Sequence, residues 1–176
     1  MAIKIITNII LIISLGIVQI SLISGLPGLA GSLNLALVVL IFILGFSGFN
    51  FTAWWAVGLG FLFEVFSFLP FGAYLISLSL TVVIANWLLN YSLTNRSLYS
   101  FLALAALATV IYELAINSFV LIFAEASSSA LVTQSNFWLS LLEKIGLNLL
   151  FTFIIYYIIY FLGRSLSPVF LVRPVK

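Results

Sequence analysis

Residues 52–91 read TAWWAVGLGFLFEVFSFLPFGAYLISLSLTVVIANWLLNY, and Glu64 is the only charge among them. The apolar residues do not alternate with polar ones, so a half-buried strand is a poor reading. Pro70 and Gly72 divide the stretch. Proline lacks an N–H and disfavours helix at the residue before it. The reading is two apolar helices, 52–69 and 73–91, joined by a tight break. A helix that crosses a bilayer needs about 20 mostly apolar residues. Both halves come close to that length.

The rest of the chain has the same character. Its 176 residues carry six Lys or Arg and four acidic residues, all Glu, which is 6% charged against 65% hydrophobic. Soluble domains carry about 25% charged residues. Ten charges do not cover the surface of a soluble fold of this size. A soluble enzyme, a nucleic-acid binder and a disordered tail are therefore poor readings, and a net charge of +2 adds no support for nucleic acid. The chain has no Cys and no His. That removes disulfides, thiol nucleophiles, His-based acid–base catalysis and zinc sites with N or S ligands. No cofactor is expected.

Working outward, six apolar runs predict an all-α polytopic membrane protein. A single transmembrane domain, 1–176, has helices at about 5–23, 33–49, 52–69, 73–91, 97–123 and 137–162. A basic tail follows at 163–176. A signal peptide competes for the first run, because Lys4 precedes it and small residues lie near Ser24. Its apolar region usually spans about 7–15 residues, and this run is longer, so a retained helix is favoured. A membrane β-barrel is disfavoured by the lack of period-2 alternation. The polar stretch Glu125 to Asn136 is the one sizeable loop. With the N-terminus inside, Lys4, Arg96, Arg164, Arg173 and Lys176 all fall on the inner side and only Glu125 falls outside. That is a positive-inside pattern, with both termini cytoplasmic.

Four charges remain within the membrane: Glu64, Glu113, Glu143 and Lys144. Charged groups there are costly and face the bundle interior or a cavity. At 1.5 Å per residue, Glu64 lies roughly 7 Å, Glu113 roughly 15 Å and Lys144 roughly 10 Å in from the outer end of its helix. Asn117 follows Glu113 by four residues and Asn148 follows Lys144 by four, so each amide shares its charge's face. A Glu113–Lys144 pair is reasonable, with Glu64 as competitor. Glu143 points about 100° away from Lys144. These groups either lock the bundle or form an outward polar pocket or partner site.

Other signals are weaker. Gly58 and Gly60 lack the third glycine of a dinucleotide fingerprint. Gly58, Gly60, Pro70 and Gly72 read together as a packing motif, with Ala56 and Gly60 a small-xxx-small pair. Trp54, Trp55, Trp87 and Trp138 lie near predicted helix ends, which suits interfacial anchoring. No nucleophile-plus-base pair, phosphate loop or convincing metal cluster stands out. Three separated glutamates leave a hard cation as an open option.

The segment Gly58-Leu-Gly-Phe-Leu-Phe-Glu64-Val-Phe-Ser67-Phe-Leu-Pro70-Phe-Gly72-Ala-Tyr-Leu75 resembles the core of the rod shape-determining protein MreD family. There a glycine-bearing helix carries an acidic residue, usually Asp, before a break with Gly and another apolar helix. Glu64 stands at the Asp position here. Thr94-Asn95-Arg96-Ser97-Leu98 and the Ala-rich helix reaching Tyr112-Glu113 are also similar. The match covers about Gly58 to Glu113. The resemblance implies a non-enzymatic, multi-pass protein of the bacterial inner membrane. It would bind an MreC-like protein and, through it, the MreB filament, the RodA glycosyltransferase and its penicillin-binding partner, in support of peptidoglycan synthesis and cell shape. The family's fold is similar to the S component of energy-coupling-factor transporters. A small-molecule-binding transporter subunit is therefore the alternative.

Overall fold

A computed structural model describes residues 2–23, 25–26, 31–93, 97–123 and 137–170, with side chains between 3 and 161. Six α-helices follow one another: α1 Ala2–Ile17, α2 Leu35–Ser47, α3 Phe49–Val65, α4 Ala73–Tyr91, α5 Leu98–Phe123 and α6 Phe137–Phe170. A π-helical turn, Val18–Ile23, extends α1. No strand occurs among the described residues.

Among the described residues four stretches are long and apolar enough to cross a membrane: Ile3–Ile23, Ala73–Tyr91, Leu98–Phe123 and Phe137–Phe161. The other two helices, α2 with 13 residues and α3 with 17, are shorter than that. Here the structure corrects the sequence reading. The second helix begins at Leu35 rather than 33, because Asn34 is its N-cap. The third runs Phe49–Val65, not 52–69. Its end comes before Pro70 because the chain turns at Ser67, whose Oγ accepts the Leu69 N–H at 3.0 Å. A serine that bonds backbone two residues on offers an alternative to the helix. The sixth helix continues past 162 to Phe170.

Packing fixes the directions. Gly16 lies against Leu62 and Gly58 against Ile12, so α1 and α3 run parallel. Glu113 meets Lys144, Thr109 meets Asn148 and Phe101 meets Tyr156, so α5 and α6 run antiparallel. Phe42 of α2 stacks on Phe101 of α5, with ring centroids 4.9 Å apart. The buried core joins Leu37, Leu40 and Leu44 of α2, Leu59 of α3, Leu78 of α4 and Leu104 of α5. Large apolar side chains also cover the outside, for example Ile6, Ile10 and Ile13 on α1 and Leu150 and Ile154 on α6. An apolar exterior of that extent suits lipid, not water.

The α3–α4 contact includes a very close approach at Gly60. A Cβ on Gly60 would lie 2.7 Å from the Leu75 Cα, so the two backbones nearly touch there. Gly146 on α6 has nothing within 4 Å of such a Cβ. Overpacking a filled site costs about 1–3 kcal/mol. Thermal unfolding in detergent is expected to show Gly60→Ala destabilised by about that much. Gly146→Ala is expected to be neutral or to gain up to about 1 kcal/mol in helix propensity.

Candidate functional site

The candidate polar residues gather where α1, α3 and α5 end and α2, α4 and α6 begin. Two helix N-termini are buried at that end. The first N–H groups of a helix have no partner within it, and in an apolar setting each must find one.

At α2 the count closes. The Asn34 N–H donates to Asn148 Oδ1 at 2.9 Å. The Leu35 and Ala36 N–H groups donate to Gln19 Oε1 at 2.8 and 3.4 Å. The Leu37 N–H donates to the Asn34 side chain at 3.0 Å, and the Val38 N–H to the Asn34 carbonyl. Gln19 also donates to the Leu33 carbonyl at 3.0 Å. Asn148, fully buried, donates its amide N–H to Thr109 Oγ1 at 2.9 Å. Side chains of α5, of α6 and of the π-helical turn thus hold the start of α2.

At α4 the count closes differently. Gly72 occupies the N-cap with φ +102°, a left-handed conformation that favours glycine, so the cap residue has no side chain to offer. Glu64 supplies the acceptor from the end of α3. Its Oε1 accepts the Tyr74 N–H at 2.6 Å and the Leu75 N–H at 3.1 Å. The Ala73 and Ile76 N–H groups reach the Pro70 and Gly72 carbonyls. A carboxylate at a helix N-terminus also meets the positive end of the helix dipole. Glu64 is 7% exposed, and its Oε2 is buried with no partner. Because α3 ends at Val65, Glu64 sits one residue from the helix end, not five.

The Lys144 ammonium donates to Glu113 Oε2 at 2.8 Å. The predicted pair therefore forms, and Glu64 does not compete for it. Lys144 keeps 30% of its side chain exposed and Glu113 12%. Asn117 does not join them: its amide donates to the Glu113 carbonyl of its own helix at 2.7 Å. Glu143 is exposed. Within the glycine motif, Gly60 packs on Leu75, Gly58 faces Ile12, and the Pro70 carbonyl and Gly72 close the turn into α4. Trp54, Trp87 and Trp138 are exposed. Trp55 departs from the anchoring role, being buried with its Nε1 unpartnered.

A cavity of about 610 Å³ lies among these groups. Its wall includes Asn34, Tyr74, Tyr112, Glu113 and Lys144, and the turn residues Phe66–Leu69 border it. Asn148 and Glu64 stand behind the wall as supports, not on it. Among the described residues no three His, Cys, Asp or Glu side chains are placed to hold a metal ion. Reading the sequence alone misses Gln19, Asn34, Tyr74 and Tyr112. Gln19 interrupts an apolar run and Asn34 directly precedes one, which are usable signals.

No family model, curated protein or solved structure matches this chain.

Leaving a buried N–H unpaired costs about 1–3 kcal/mol. Glu64→Ala strands two, so a loss of about 2–5 kcal/mol is expected from thermal unfolding in detergent. Glu64→Gln keeps an acceptor and is expected to lose clearly less. Equal losses for the two variants count against the cap. Asn148→Leu frees the Asn34 N–H and should lower stability by about 1–3 kcal/mol.

Proposed function

We propose that the chain is a multi-pass protein of the bacterial inner membrane that acts as a non-enzymatic scaffold of the rod-shape and cell-wall elongation machinery, docking an MreC-like partner. Through that partner it would meet the RodA glycosyltransferase and a penicillin-binding protein. One observation carries this reading. The stretch that resembles the MreD family, Gly58 to Leu75, is a single braced corner, with Gly60 pressed on Leu75 and Glu64 holding the first turn of α4. Its distinctive residues serve rigidity, which suits a docking platform. Co-purification from cells expressing both proteins tests it: an MreC-like protein should be retained, and its consistent absence sinks the reading.

In this proposal all six helices cross the bilayer and both termini face the cytoplasm. At 1.5 Å per residue, α2 and α3 span about 20 and 26 Å, less than a hydrocarbon core of about 30 Å. The remaining depth is taken up at the cavity end by residues 31–34 and 66–72. Irregular backbone is tolerated at such depth where it lines a cavity or is buried in protein. Lys4 lies at the opposite end of the bundle. The Glu125–Asn136 loop and the charges at Arg96, Glu125, Arg173 and Lys176 fall outside the described residues, as does the side chain of Arg164. The chain has no cysteine, so single cysteines can be placed freely. In intact cells an impermeant thiol reagent is expected to label Ser128→Cys and to spare Ser92→Cys. The reverse pattern inverts the topology.

The cavity favours a second reading, a small-molecule-binding subunit of an energy-coupling-factor type transporter. A thermal-shift screen against vitamins and cations separates the two. Tight binding lost in Glu113→Ala, together with a co-purifying ATPase, would replace the scaffold.

A further inference from the structure

The cavity has a definite chemical character of its own. At about 610 Å³ it falls within the usual 300–1,000 Å³ of small-molecule sites. Its polar wall contains the one ion pair found among the described residues, Glu113 with Lys144. Ser32, Tyr74 and Tyr112 also line the space with hydroxyl groups, while other polar groups nearby are engaged in capping. Gln19 and the Asn34 carboxamide oxygen cap α2, and Glu64 caps α4 from behind the wall. Charge facing the cavity is therefore confined to the ion pair. An ammonium has three donors and a carboxylate about four acceptor positions. Lys144 and Glu113 use one of these each on the other.

The pair is electrically balanced. A ligand of net charge would bring an uncompensated charge into an apolar bundle, which is expensive. A ligand that carries both signs adds none. Its oxyanion would take the remaining Lys144 donors, and its ammonium the Glu113 carboxylate. Aromatic faces favour a cation close by, and Phe63, Phe66, Tyr74 and Tyr112 all border the space. The exposed rings of Phe66 and Phe68, on the turn between α3 and α4, give an apolar body somewhere to lie.

We propose that this cavity binds a zwitterionic amphiphile, a molecule with an ammonium and an oxyanion a few atoms apart on an apolar body. Two sources share that chemistry: the headgroup of a membrane phospholipid such as phosphatidylethanolamine, and a free zwitterion. The inference rests on the cavity and not on the partner reading. Partner capture and zwitterion binding can each fail without the other.

The test uses the full chain in detergent. Thermal unfolding is followed with added phosphatidylethanolamine, with soluble glycerophosphoethanolamine (a net-neutral phosphodiester), and with anionic phosphatidylglycerol. At about a hundredfold over Kd, a bound zwitterion is expected to raise Tm by about 5–10 °C. Phosphatidylglycerol is expected to give no rise. A rise with lipid alone assigns the site to the bilayer lipid, and a rise with both zwitterions assigns it to the headgroup. Two variants locate the effect, each read against its own unliganded Tm. Ser32→Trp fills the cavity, and the double variant Glu113→Gln with Lys144→Gln removes both charges. Either should abolish the rise. The proposal is overturned if neither zwitterion shifts Tm, if phosphatidylglycerol does so equally, or if the shift survives in either variant.

Discussion

Two of the described helices begin inside the bundle, and their first N–H groups are met by side chains of other elements. Much of the structure follows from that constraint. An unpaired amide in such surroundings costs several times what a formed hydrogen bond returns in water. The chain meets the need with side chains from distant elements. Gln19 and Asn148 close the start of α2, and Glu64 closes the start of α4. At the opposite end the start of α3 has no side-chain cap, and Phe49 and Asn50 are exposed there. The start of α5 takes a local cap instead, the Ser100 N–H donating to Ser97 Oγ at 3.4 Å.

The same constraint explains the division among the polar residues. Buried threonines settle their hydroxyls locally: Thr52, Thr81, Thr109 and Thr152 each donate to a carbonyl four residues back. Asn117 does likewise. Glu64 and Asn148 work across elements as braces. Among the described residues that line the cavity, Glu113 and Lys144 form an ion pair and still face its space. Braces between elements and a charged cavity wall are thus made by different members of one short list of residues.

Much of the helical order was legible because apolar length and break residues are local signals. The fourth helix, 73–91, was readable to the residue because Pro70 and Gly72 precede it. The Glu113–Lys144 pair was legible too, since counting inward from one end puts both at similar depth. The braces were not legible. Glu64 acts ten positions away and Asn148 reaches Asn34 across 114 positions, and no periodicity marks such partners. Asn117 misled because spacing of four places an amide on the right face but equally within reach of its own helix's carbonyl. The end of α3 was missed because the Ser67 turn outweighs apolar continuity up to Pro70.

The reach from Asn148 to Asn34 also bears on how the protein is made. Synthesis runs from the N-terminus, so α2 emerges long before α6 exists. Until residue 148 has entered the bundle, the start of α2 lacks one acceptor and the cavity lacks the Lys144 side of its wall. Helices α2 and α3, short and joined only by Gly48, are therefore made before the side chain that completes the start of α2. Completion of the last helix is the event that seals the second. A chain interrupted before it would leave the Asn34 N–H without its acceptor.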